Sequence, residues 1–83
     1  MIKNAKHIEG FIFEVTFFDQ TTRVIDLTSF FAKNHPVIRK FAKPELVKEF
    51  YLEEGFICWG DNELEADSYA IFQGKYDAVL EYA

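Results

Sequence analysis

The chain has 83 residues, enough for one small domain and too few to give each of two domains its own core. Hydrophobic side chains make up 49% and aromatic ones 18%, ten of them phenylalanine, against 28% charged, which excludes a disordered chain. Nine bases against fourteen acids leave a net charge of −5, so the molecule as a whole repels polyphosphate and generic nucleic-acid binding is disfavoured.

In chain order, Asn4 to Glu9 reads as a short edge strand, with Lys3, Lys6 and Glu9 discouraging edge-to-edge association. Phe11, Phe13, Val15 and Phe17 then alternate with Ile12, Glu14, Thr16 and Phe18, the pattern of a strand with one side fully buried. Asp19-Gln20-Thr21 interrupts the pattern and Thr22 to Leu27 resumes it, which predicts a tight antiparallel hairpin around a type I turn without glycine. Thr28 or Ser29 is placed to N-cap a brief turn over Phe30, Phe31 and Ala32. Pro36 and Pro44 each suit a first helical turn, the first followed by Val37, Ile38 and Phe41 on one face. Phe50 to Leu52 and Phe56 to Trp59, joined by Glu53-Glu54-Gly55, form a second expected hairpin, closed by Gly60. After an acidic extended stretch, Asp67 to Gln73 reads as a helix stopped by Gly74, and Tyr76, Val79, Leu80 and Ala83 sit at helical spacing in the tail. The expected fold is therefore α+β: a small antiparallel sheet built from two hairpins, short helices between them and a C-terminal helix, all in a single domain over 1–83.

Candidate chemistry is sparse. Cys58 is the only thiol, and as a nucleophile it would need His7 or His35 as its base, whereas its place between Phe56 and Trp59 reads as inert burial. A small enzyme or ligand binder using Cys58 with one histidine is kept as the alternative from another class. Asp61, Glu63, Glu65 and Asp67 alternate, as oxygen ligands on one side of an extended chain would. Set on the calcium-loop template, however, they place Ala66 at the glycine position and Phe72 at the bidentate glutamate, so a solvated acidic loop is expected, with no metal. No glycine-rich phosphate loop, paired-cysteine zinc pattern or nucleophile elbow occurs, so no cofactor is expected. Lys33, His35, Arg39, Lys40 and Lys43, interleaved with Phe31 and Phe41, offer a nucleic-acid-binding alternative over Lys33 to Lys43; the preferred reading turns the rings inward and leaves the charges as solvated helix backs. A single cysteine, no secretory pattern in the first residues and no apolar run near the roughly twenty residues of a membrane span lead to a cytoplasmic expectation with no membrane contact.

The segments FIFEVTFFDQTTRVIDLTSFF and VKEFYLEEGFICWGDNELEADSYAIF, in that order, resemble a bacterial family of small domains catalogued as domain of unknown function number 2442. Phe17 and Asp19 match the family's first turn, Asp26 and Leu27 a strand end, Trp59 and Gly60 its tryptophan segment, and Leu64 and Asp67 the acidic lead-in to its last helix. Gln20-Thr21 departs from an Asn-Gly type turn, Ala66 stands where a proline usually begins the helix, and Tyr69 takes a leucine position. The resemblance implies an α+β fold with a largely antiparallel sheet and no established catalytic activity. In some relatives it implies fusion to a helix-turn-helix, or a neighbouring small protein in the manner of a toxin–antitoxin pair. The chain stops at Ala83 without such a motif, so any DNA contact is expected to come from a partner.

These features imply a non-enzymatic interaction module, an accessory or antitoxin-like component. From Tyr51 onward Lys75 is the only base, facing Glu53, Glu54, Asp61, Glu63, Glu65, Asp67, Asp77 and Glu81, so a basic protein partner suits this acidic last third. The aromatic excess adds self-association as an option. The expected contact residues are Phe18, Asp61, Glu63, Glu65, Tyr76, Val79 and Leu80.

Overall fold

Period-2 patterning in the first quarter of the chain and turn chemistry in the rest sort the molecule into two separate sheets joined by short helices. The computed structural model describes residues 1–78. In order come β1 (Ile2–Glu9), β2 (Ile12–Phe17), β3 (Thr22–Asp26), α1 (Thr28–Phe31), α2 (Pro36–Phe41), α3 (Pro44–Val47), β4 (Tyr51–Glu53), β5 (Phe56–Trp59), β6 (Leu64–Glu65) and α4 (Ser68–Phe72). The first sheet has the order β1-β2-β3 and the second β4-β5-β6, both antiparallel between neighbours. The mixed class, the hairpins, the helices between them and the helix after β6 are as expected. The edge strand expected at Asn4 to Glu9 is present as β1, two residues longer at its start; the two hairpins, though, stand in different sheets, and the second gains β6 as a third strand.

In the first sheet, register aligns Ile2 with Phe17, Ala5 with Val15 and His7 with Phe13, while Phe13 also faces Ile25 and Val15 faces Arg23. Phe13, Val15 and Phe17 thus lie on one face and are buried. The opposite face carries Lys6 beside Glu14 and Glu14 beside Val24. The hairpin between β2 and β3 closes with Gln20 N–H donating to Phe17 O and Phe17 N–H to Thr21 O, both at 2.9 Å. Gln20 takes φ 75°, a left-handed position where glycine is the usual residue. Asp19 holds the loop by accepting from the Thr21 N–H (3.0 Å) and hydroxyl (2.6 Å).

Asp26 repeats that motif on Thr28, accepting from its N–H at 2.9 Å and its hydroxyl at 2.6 Å. The N-cap of α1 is Leu27, without a side-chain bond, so Asp26 rather than Thr28 or Ser29 prepares the turn. The proline-led helices form as their sequence dictates: α2 buries Ile38 and Phe41, and α3 buries Val47. The turn from β4 to β5 places Glu54 at φ 51° and Gly55 at φ 84°, the two positive values of a type I′ hairpin.

One core joins the two sheets. Trp59 is fully buried, donates from Nε1 to Val47 O at 2.9 Å, and has Phe31 (5.1 Å between ring centroids), Phe13 and Phe30 (6.4 Å each) around it. Beyond β3 the chain returns along that strand: Asp26 N–H donates to Tyr76 O and Ala78 N–H to Val24 O, with Asp77 bridged to Ile25. Tyr76 and Asp77 are therefore part of an extended segment covering the β3 edge, not of the tail helix that the spacing predicts. Backbone pairing takes precedence here because β3 would otherwise leave a row of unbonded amides. Val79, Leu80 and Ala83 lie outside the described residues.

Candidate functional site

Sheet register decides which side chains share a surface. In the second sheet Tyr51 pairs with Cys58, Glu53 with Phe56, and Cys58 with Glu65. Because neighbours along a strand alternate faces, these five residues form the outer face, and Leu52, Ile57, Trp59 and Leu64 turn to the core. Tyr51 and Phe56 are half-buried, while Glu53 and Glu65 are exposed. Cys58 is 2% exposed on this outer face and does not belong to the main core cluster.

The thiol donates to Phe56 O at 3.6 Å. Burial pushes its pKa up from the ordinary thiol value, and the negative charges of Glu65 and Glu53 push the same way. A group held neutral in this way is a poor nucleophile. Both histidines are committed elsewhere. His7 Nε2 bonds Gly10 O at 2.8 Å and its ring meets Phe13 edge-on, while His35 Nδ1 accepts the Val37 N–H at 3.2 Å as the N-cap of α2. Among the described residues neither one is a hydrogen-bond partner of Cys58.

The four alternating carboxylates separate into different tasks. Glu63 pairs with Lys40 at 2.7 Å, and that hydrogen bond holds its pKa below the ordinary carboxylate value. Asp67 caps α4, accepting from Tyr69 N–H at 3.0 Å and Ala70 N–H at 3.1 Å. Asp61 stands in the β5–β6 turn, where Asn62, at φ 57°, is fixed by Tyr51: Asn62 N–H donates to the tyrosine oxygen at 2.8 Å and the tyrosine hydroxyl donates to Asn62 Oδ1 at 2.9 Å. Glu65 joins the outer face of the second sheet. Among the described residues no three His, Cys, Asp or Glu side chains converge as a metal site would need.

The remaining expected contact residues also part company. Phe18 is 63% exposed at the end of the first hairpin, beside Met1, whose carbonyl accepts its N–H. Tyr76 is only 4% exposed, its ring edge-on to Phe30, so in the folded chain it packs the core and offers no contact area. Val79 and Leu80 fall outside the described residues. The basic segment shows its cations and hides its rings: Phe31 and Phe41 are buried, Lys33 lies over Phe30 at 5.3 Å, and Lys40 lies over Phe41 at 5.2 Å.

Two features escape a sequence reading. The outer-face grouping of Tyr51, Glu53, Phe56, Cys58 and Glu65 depends on the register of β6, a strand of two residues with no periodic signal of its own. Arg23 reads as a solvated strand residue, yet it donates to Phe72 O at 2.7 Å, pairs with Asp77 at 3.6 Å and lies over the touching rings of Phe17 and Phe72, 5.8 and 5.7 Å from their centroids. Its place two residues before buried Ile25 puts it on the same face of β3, opposite Val15, and that period of two is the signal that points it toward the core side. Comparison with protein-family models, with curated proteins and with solved structures found no match to this chain.

Proposed function

We propose that this chain is a non-catalytic protein-interaction module that docks a basic segment of another cytoplasmic protein on the outer face of its second sheet, as an accessory or antitoxin-like component would. The observation that carries this reading is one of unbalanced charge beside apolar surface. Glu53 and Glu65 flank half-buried Tyr51 and Phe56, exposed Glu54 and Asp61 extend the same sign around them, and among the described residues none of the four has a cationic partner. A lysine- or arginine-rich segment would find both carboxylates and ring faces there. Its encounter would be steered by charge and would weaken with salt. The thiol-enzyme alternative is disfavoured, since burial first, and the negative charges of Glu65 and Glu53 after it, push the Cys58 pKa up.

A photo-crosslinking benzoylphenylalanine in place of Phe56, expressed in the native host, tests the proposal, with the same group in place of Ile8 as control. Adducts with a basic protein at position 56, lost when Glu53→Lys and Glu65→Lys are combined, are the expected result. Adducts unaffected by the charge reversal, equal adducts at position 8, or adducts with a second copy of this chain would each overturn it.

A further inference from the structure

We infer that the cleft between α1 and α2 is a binding site for a small dianionic phosphate group, distinct from the protein-docking face. The cleft has a volume of about 340 Å³ and is lined by Phe31, Ala32, Lys33, Asn34, Arg39 and Ala42. Its two cationic side chains, Lys33 and Arg39, have no carboxylate partner among the described residues, although the chain carries an excess of acid. Both are exposed; Arg39 Nη1 donates to Asn34 Oδ1, another residue of the cleft wall, at 3.3 Å, and the Lys33 ammonium sits 5.3 Å from the Phe30 ring.

Two positive groups balance one dianion, and the fork of a guanidinium matches phosphate oxygens in a bidentate way. The other bases of the same segment, His35, Lys40 and Lys43, do not line the cleft; His35 caps α2 and Lys40 pairs with Glu63. A single strand of nucleic acid fits less well, because it needs exposed rings for its bases. Phe31, which lines the cleft, is 5% exposed and packed edge-on to Phe30 and Trp59. The net charge of −5 further opposes a long polyanion, while leaving a single phosphate close to two cations favoured.

The test is a ¹H–¹⁵N NMR titration with inorganic phosphate, then with a phosphomonoester such as glycerol phosphate, and in a separate arm with a single-stranded oligonucleotide. Saturable shifts confined to the amides of residues 31–34 and 39–42 are expected for the first two. Replacing Arg39 by Gln should weaken binding about tenfold or more, the loss of a charge-assisted bidentate contact. Lys48→Gln, on an exposed lysine outside the cleft, should leave it unchanged. Shifts spread over all lysines, equal affinity in the Arg39→Gln protein, or an oligonucleotide that binds more tightly through Lys40 and Lys43 would overturn the proposal. Trp59 fluorescence confirms that each variant is folded, and the test is independent of any partner on the second sheet.

Discussion

Cys58 shows how little a residue type says without its neighbours. Its small apolar side chain in a β-prone run correctly implies burial, but the side it faces and the two carboxylates beside it come from strand pairing. Burial first, then Glu65 and Glu53, raise the thiol pKa above its ordinary value of 9.0. In the unfolded chain the thiolate therefore forms at lower pH than in the folded one. The thiol's contribution to stability is complete below pH 9.0 and is lost as pH rises through the higher folded value. Iodoacetamide at neutral pH should accordingly label the protein only as it unfolds in urea, and the urea midpoint should fall on the alkaline side. Rapid labelling of the native protein would contradict the burial. Gln20 gives a second residue-scale expectation. It occupies a left-handed backbone position that costs a side-chain-bearing residue about 1 kcal/mol relative to glycine. Its bond to Phe18 O at 3.1 Å lies in an exposed loop and offsets little of that. Gln20→Gly should raise stability by about 0.5–1 kcal/mol in urea denaturation.

At the scale of elements, α4 depends on groups at both of its ends. Asp67 caps the N-terminus, as its position ahead of the helix predicts, and Arg23 reaches from β3 to satisfy the carbonyl of Phe72. A helix of five residues cannot stand by itself, so these two contacts and the burial of Ile71 hold it. Asp67→Ala should cost about 1 kcal/mol. Arg23→Ala, which removes a hydrogen bond to a carbonyl and two ring contacts, should cost about 1–2 kcal/mol. Amide exchange should quicken in α4 and in the Tyr76–Ala78 segment in both variants, with the Arg23 change also loosening Asp77. The proline-led helices, the alternating β2 and the capped α4 were legible because each has a local cause: a fixed φ, a period of two, a side-chain acceptor. The strand β6 and the return of the chain along β3 were not, because their pairing partners lie far away in sequence and they carry no pattern of their own.

At the scale of the whole molecule, two sheets share one hydrophobic cluster, with Trp59 of the second sheet against Phe13 of the first. A small chain with a single core unfolds as one unit. Urea transitions followed by Trp59 fluorescence and by far-ultraviolet circular dichroism should coincide, and Phe13→Ala should lower both together by about 3–5 kcal/mol. Separate transitions would mean that the sheets are independent units. Charge is also a whole-molecule property. The excess of acid is plain in composition, but only folding shows which carboxylates are spent inside the protein, Glu63 on Lys40, Asp67 on a helix end and Asp77 on Arg23, and which are left facing outward. By itself, the sequence determined the mixed class, the positions of the hairpins and short helices, and the inward packing of most of the rings, since these follow from periodicity, turn chemistry and the exclusion of apolar surface from water. Tertiary structure alone decided that the hairpins belong to two sheets, that Tyr76 is core, and that Cys58 lies between Tyr51 and Glu65. Those outcomes depend on register and on contacts between distant segments, which short-range physics does not encode.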